Sequence, residues 1–238
     1  MLDDLKAQVA VAAREAERNG LCTKGVGNFS AIDRKSGLIA ITRSGCPWER
    51  VTVEDILLID MAGRVVESWQ TECREMEGII AEGEMTASEC AAVVGSPTEY
   101  KPAEGETTEN GMLAGKASKR PSREYLMHIS AYQTRSEILS VAHTHSPYAT
   151  AFAVLGKTIE PVSFEAAFYG NKVSVAGLAS PGSAELAELI RIPLVEADVC
   201  LLRNHGLITV GKSAASAVLK AKYVERVAKV YYLVLSQR

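Results

Sequence analysis

The segment ILSVAHTH, residues 138–145, constrains the fold of this chain more than any other. Its apolar beginning reads as a buried strand, and it ends in polar residues. Two of the four histidines, His143 and His145, sit two apart at that end. Side chains at i and i+2 of a strand point to the same face, so both rings project from one side of a sheet. A third histidine, His205, lies in the turn Asn204-His205-Gly206, between the strand-like runs DVCLL and LITVG.

The rest of the chain supplies neighbours for these strands. Residues 3–18 read as an amphipathic helix, with Leu5, Val9, Ala12 and Ala16 at helical spacing and Asn19-Gly20 as its stop. GVGNFSAID and GLIAIT read as two strands around a turn at 34–37. A capped turn at 52–55 leads into the strand ILLID, a turn at 61–63 and a short strand at 65–66. Helices are expected from Pro121-Ser122 through Thr134, over 147–155, over 184–191 with Ser183 as cap, and from about Ser213 to Leu235. Residues 164–169 read as helix or turn, and KVSVA as a short strand. The whole reads as one α/β domain over 1–238, with three layers and a central, largely antiparallel sheet flanked by helices. Residues 68–119 differ in character. Helix formers occupy 71–94, and 95–119, rich in Gly, Pro, Thr, Glu and Lys, reads as a mobile loop.

Composition excludes several classes of function. Twenty-six basic residues against 29 acidic ones, net −3, leave no electrostatic footprint for nucleic acid or an anionic membrane. No run reaches the ~18 apolar residues of a membrane span, and the N-terminus lacks the basic start and apolar stretch of a signal peptide. The five cysteines, at 22, 46, 73, 90 and 200, form no C-x-x-C pair. Reduced thiols in a cytoplasmic protein are therefore expected.

Three imidazoles at strand ends suit a divalent cation. Neutral imidazole favours Zn²⁺, with Mn²⁺ or Co²⁺ as alternatives, and three protein ligands leave a position open, as a catalytic metal needs. An H-x-H pair alone is also what surface or core histidines look like, and a lone His before Gly is also an ordinary turn.

Five strings occur in order: Gly27-Asn28-Phe29-Ser30, Thr42-Arg43-Ser44-Gly45, Pro121-Ser122-Arg123-Glu124, AHTHSPYATA at 142–151 and LLRNHGLITVGK at 201–212. Together they resemble the signature segments of the class II aldolase/adducin-like family, which holds L-fuculose-phosphate aldolases and L-ribulose-5-phosphate 4-epimerases. The resemblance implies that His143, His145 and His205 bind one divalent metal per subunit and that Glu124 is the acid/base. It implies that Gly27, Asn28, Ser44, Gly45 and Ser122 hold a substrate phosphate. Small residues let backbone N–H groups approach an anion, which makes physical sense of that set. It also implies a small phosphorylated sugar as substrate and a homotetramer. The family's aldolases carry Glu where such epimerases carry Asp, so the implied reaction is cleavage of a ketose 1-phosphate to dihydroxyacetone phosphate and an aldehyde through a metal-stabilised enediolate. An epimerase, decarboxylase or dehydratase on the same scaffold is the alternative, and a non-catalytic adducin-like module is a second.

The chain departs from the family pattern in three places. Arg123 replaces a second serine, where it would bind a phosphate or carboxylate or point to solvent. Glu165 and Tyr169 are candidates for a second acid/base, with Tyr169 in the core as the alternative. Residues 68–119 form an atypical insertion: a lid, an oligomer contact, a partner-binding arm or a tolerated loop. His128, one helical turn after Glu124, is expected to support the site and not to ligate.

Overall fold

Helix α1 (Leu2–Arg18) buries a stripe of small residues, Val9, Ala12, Ala13 and Ala16, so its backbone lies close against the strands beneath it. The computed structural model describes residues 2–23, 25–66, 120–170 and 172–237, so the expected insertion at 68–119 lies outside the described residues. Seven strands follow: β1 (Asn28–Asp33), β2 (Leu38–Thr42), β3 (Ile56–Ile59), β4 (Ser140–Thr144), β5 (Val175–Ala176), β6 (Val199–Leu202) and β7 (Gly206–Gly211). They form one sheet in the order β3-β2-β1-β4-β7-β6-β5. Every neighbouring pair is antiparallel except β5 and β6.

Side-chain alternation along the strands separates two apolar layers. In β4, Ala142 joins the layer covered by α1 and the long helix α6 (Ala214–Leu235), whereas Val141 joins the layer under α2 (Tyr125–Thr134). Helices α3 (Pro147–Leu155), α4 (Ala184–Leu189) and α5 (Arg191–Leu194) complete the cover. The expected three layers and largely antiparallel sheet are present.

Element boundaries differ from expectation for local reasons. The strand expected from Gly25 begins at Asn28, because Gly25 and Gly27 adopt φ of 79° and 94°, outside the extended region. The helix expected from Pro121 begins at Tyr125. Ser122 gives its N–H to the Thr42 carbonyl and Pro121 bridges Arg43, so this stretch is extended and tied to the end of β2. The single helix expected over 184–191 divides after Leu189, because Pro193 has no N–H for the Leu189 carbonyl. Residues 164–168 form a 3₁₀ helix.

Two long-range contacts anchor the elements that carry the site. A single guanidinium nitrogen of Arg34, in the β1–β2 turn, donates to the carbonyls of Tyr132, Arg135 and Ile138 at 2.9, 3.1 and 2.7 Å. Its two hydrogens are shared among acceptors at the C-terminal end of α2 and in the turn that leads to β4. Glu225 of α6 accepts the N–H groups of Tyr148 and Ala149 at 3.0 and 2.9 Å. A carboxylate there complements the positive end of α3, which starts two residues after His145. Glu225→Ala is expected to cost about 1–3 kcal/mol, read from the urea midpoint. An unchanged midpoint would show that water replaces this cap at no loss.

Candidate metal centre

The pairing of β1, β4 and β7 assembles the site from distant residues. Asn28 lies opposite His143, and His143 lies opposite Ile208. His205, one residue before β7, thereby reaches the end of β4. Asn204 takes φ 56°, a left-handed conformation that Asn tolerates, and this turns the chain sharply enough to present His205 inward. Gly206 follows where no side chain fits: a Cβ would meet the Thr144 carbonyl at 2.5 Å and the rings of His145 and His143 at 3.2 and 3.3 Å.

The three rings converge. The candidate ligand nitrogens of His143, His145 and His205 all lie within 4.8 Å of one another, and the ring centroids are 4.7 to 4.9 Å apart. The Nε2 atoms of His143 and His145 are separated by 2.9 Å. Glu124 stands beside them, with Oε2 3.3 Å from His143 Nε2 and Oε1 3.3 Å from His205 Nε2. It stands immediately before α2, and its own N–H donates to Ser122 Oγ at 3.3 Å.

The protonation states favour cation binding. His143 is fully buried, and its Nδ1–H donates to the Leu207 carbonyl at 3.0 Å, which turns Nε2 toward His145 and Glu124. Burial, helped by the charge of its histidine neighbours, pushes His145 down to about 3 and His205 down to about 4, so both are neutral at physiological pH. Burial alone would raise the Glu124 carboxyl. His143 by charge and hydrogen bond, then His205 and Asn28, outweigh it and hold the carboxyl well below the usual range. Three converging imidazoles with an ionised carboxylate beside them fit a divalent cation by the chemistry of the donor set. Glu124 Oε1, on the side of the carboxylate that faces His205, is buried without a hydrogen-bond partner among the described residues, which marks that spot as incomplete without a further group.

The residues expected to hold a phosphate lie on the neighbouring segments. Ser44 donates its N–H to the Arg120 carbonyl at 3.0 Å, which sets the 44–45 turn against 120–123. Space is open at Gly45, Ser122 is buried and Arg123 is exposed. Gly27 is locked against the site, since a Cβ there would meet Cys22 Sγ and the His143 carbonyl at 2.7 Å each. Asn28 is occupied: its Nδ2 donates to Glu124 Oε2 at 2.8 Å and its Oδ1 accepts from His128 Nε2 at 2.5 Å. Glu165 accepts from Arg226 of α6 at 2.8 Å. Tyr169 is 2% exposed within the core, and burial raises its hydroxyl pKa. Ser30, the last residue of the Gly27-Asn28-Phe29-Ser30 string, bonds to both His128 and Tyr132 at 2.6 Å, and the sequence assigns neither Ser30 nor Tyr132 a role.

The model of the class II aldolase and adducin N-terminal domain matches residues 7–232. This chain belongs to the class II aldolase/adducin family. One relative in the family is a 5-deoxy-D-ribulose 1-phosphate aldolase of Bacillus thuringiensis serovar kurstaki, 28% identical over 98% of this chain and 86% of its own length. Another is an L-ribulose-5-phosphate 4-epimerase, UlaF, of Salmonella paratyphi C, 27% identical over the same shares. A solved structure of an L-fuculose 1-phosphate aldolase superposes with a TM-score of 0.73 at 26% identity, covering 98% of this chain and 87% of that one. The family thus contains both sugar-phosphate aldolases and an epimerase. No helix among the described residues is long and apolar enough to cross a membrane.

The buried histidines make the cation-free protein acid-sensitive. His128, fully buried, is pushed down to about 3 by its burial and by the nearby charge of His143, against an ordinary value of 6.5. Below about pH 6.5 the unfolded chain therefore binds a proton that the folded chain refuses. Stability is unaffected above that pH and falls as pH drops from 6.5 toward 3, by up to about 1.4 kcal/mol per pH unit for this residue. Denaturant midpoints in chelator at pH 7.5 and 5.0 should show the loss, and equal midpoints would contradict it.

Proposed function

We propose that this chain is a divalent-metal-dependent aldolase that cleaves a ketose 1-phosphate to dihydroxyacetone phosphate and an aldehyde. The observation that carries this reading is the Glu124 carboxylate 3.3 Å from two of three converging imidazoles. The two relatives named for ketose 1-phosphates support the substrate class, and Glu rather than Asp at 124 supports the aldolase over the epimerase.

His143, His145 and His205 hold the cation, with Zn²⁺ favoured by an all-nitrogen donor set. When bound, it supplies Lewis-acid polarisation of the substrate carbonyl and bears part of the charge that develops on its oxygen. Glu124 does the proton work. Asn28 occupies Oε2, whereas Oε1 has no hydrogen-bond partner, so Oε1 is the atom that exchanges the proton. In cleavage ionised Glu124 accepts the proton of the C4 hydroxyl, that O–H pair becomes the second bond of the aldehyde carbonyl, the C3–C4 bond breaks with its electron pair passing to C3, and Glu124 delivers the proton there. In synthesis ionised Glu124 removes that proton. The 44–45 turn and the 122–123 segment, brought together by the Ser44 contact, bind the phosphate. Four such subunits associate, in keeping with the family resemblance.

Proton exchange tests this reading without knowledge of the aldehyde. In D₂O with no aldehyde present, the chain should place deuterium on the hydroxymethyl carbon of dihydroxyacetone phosphate, and chelator should stop it. Cleavage of a ketose 5-phosphate leaves its phosphate on the other fragment. A chain that binds metal but leaves dihydroxyacetone phosphate undeuterated would therefore favour the epimerase over the aldolase.

A further inference from the structure

Behind Glu124 a line of polar groups runs into the apolar layer between β1 and α2. Glu124 Oε2 faces Asn28 Nδ2 at 2.8 Å, and Asn28 Oδ1 faces His128 Nε2 at 2.5 Å. His128 Nδ1 faces Ser30 Oγ at 2.6 Å, and Ser30 Oγ faces Tyr132 Oη at 2.6 Å. All four groups behind the carboxylate are buried, with exposures of 0 to 3%. Their placement follows from spacing: Asn28 and Ser30 share one face of β1, and Glu124, His128 and Tyr132 share one stripe at the start and along α2. So many polar groups in an apolar layer are tolerated only when each is bonded.

The direction of every bond follows from the carboxylate. An ionised carboxylate only accepts, so Asn28 must turn its NH₂ toward Glu124 and its carbonyl toward His128. His128 must then donate from Nε2. In a neutral imidazole the other nitrogen is bare, so Nδ1 accepts from the Ser30 hydroxyl. That hydroxyl has one hydrogen, so it accepts in turn from Tyr132. Every donor points toward Glu124. With the opposite tautomer, Nε2 would be bare, the Asn28 amide would turn over, and its carbonyl oxygen would face the carboxylate.

We propose that His128 is a positioning residue: backed by Ser30 and Tyr132, it fixes which way the Asn28 amide points, and Asn28 thereby holds Oε2 of Glu124 and leaves Oε1 free for the substrate proton. The proposal rests on the assignment of Glu124 as acid/base. It gives Asn28 a duty toward the carboxylate, where the resemblance implied a duty toward phosphate.

Two measurements test it on the Zn²⁺-loaded protein. The first is the nitrogen NMR spectrum of ¹⁵N-histidine-labelled, unmodified chain, which distinguishes protonated from bare ring nitrogens without any substrate. His128 should be neutral with the proton on Nε2, and a proton on Nδ1 would overturn the proposal. The second is deuterium exchange into dihydroxyacetone phosphate by two variants. His128→Met fills similar space without a donor, and its exchange rate should fall about 10- to 100-fold while KM for dihydroxyacetone phosphate and metal content stay near wild type. His128→Gln keeps an N–H near the place of Nε2 and should restore most of the rate. A purely structural role predicts lowered stability in both variants with an unchanged rate per metal-loaded molecule, and that result would also overturn it. A wild-type chain that exchanges no deuterium contradicts the proposed substrate, and the nitrogen spectrum then decides the orientation alone.

Discussion

Glu124→Gln should keep its divalent cation and lose proton exchange into dihydroxyacetone phosphate by about 10²- to 10⁴-fold, the usual contribution of a positioned acid or base. Gln matches Glu in shape, and its carbonyl oxygen can still accept from Asn28 Nδ2, so the fold and the three imidazoles are undisturbed. What is lost is an oxygen at the Oε1 position able to gain and release a proton. Metal content by mass spectrometry and exchange by NMR on the same sample would check both halves. Exchange at the wild-type rate would remove Glu124 from the mechanism.

His143→Ala should lose the metal and the exchange together. His143 stands 4.7 Å by centroid from both His145 and His205, and it is fully buried. Its removal leaves two ligands and also strips the Leu207 carbonyl of its partner. An unsatisfied buried acceptor costs about 1–3 kcal/mol, so the variant should also unfold at lower denaturant, whereas Glu124→Gln should not. Retention of one cation per chain by His143→Ala would mean that the cation sits elsewhere. The two variants thus separate metal binding from proton transfer.

Much of the fold is legible in the sequence because its signals are periodic. The helical spacing of apolar residues in α1, the Ser183 cap of α4 and the i, i+2 spacing of His143 and His145 are local patterns, and each is where the structure has it. His205 is legible as a turn residue. That it meets the other two depends on the β4–β7 register, which no local pattern states. Ser30 stands in the first of the five strings, but neither it nor Tyr132 is legible as part of the line behind Glu124: a Ser in an apolar strand and a Tyr on a helix look like ordinary core positions until β1 and α2 are packed face to face. Asn28 is legible as a site residue, but its partners are not, since they lie about a hundred positions away. The start of α2 is misplaced in the sequence for a similar reason. Pro121-Ser122 has the chemistry of a helix start, but long-range pairing with Thr42 and Arg43 takes those backbone groups first.

The coordination of the cation can be measured directly. X-ray absorption at the metal edge of protein carrying one Zn²⁺ per chain should give a shell containing three imidazole nitrogens at ~2.0–2.1 Å, the remaining scatterer being oxygen. A shell with sulfur, or with one imidazole or none, would mean that the rings at the ends of β4 and β7 serve some other end, and the aldolase account would lose its foundation.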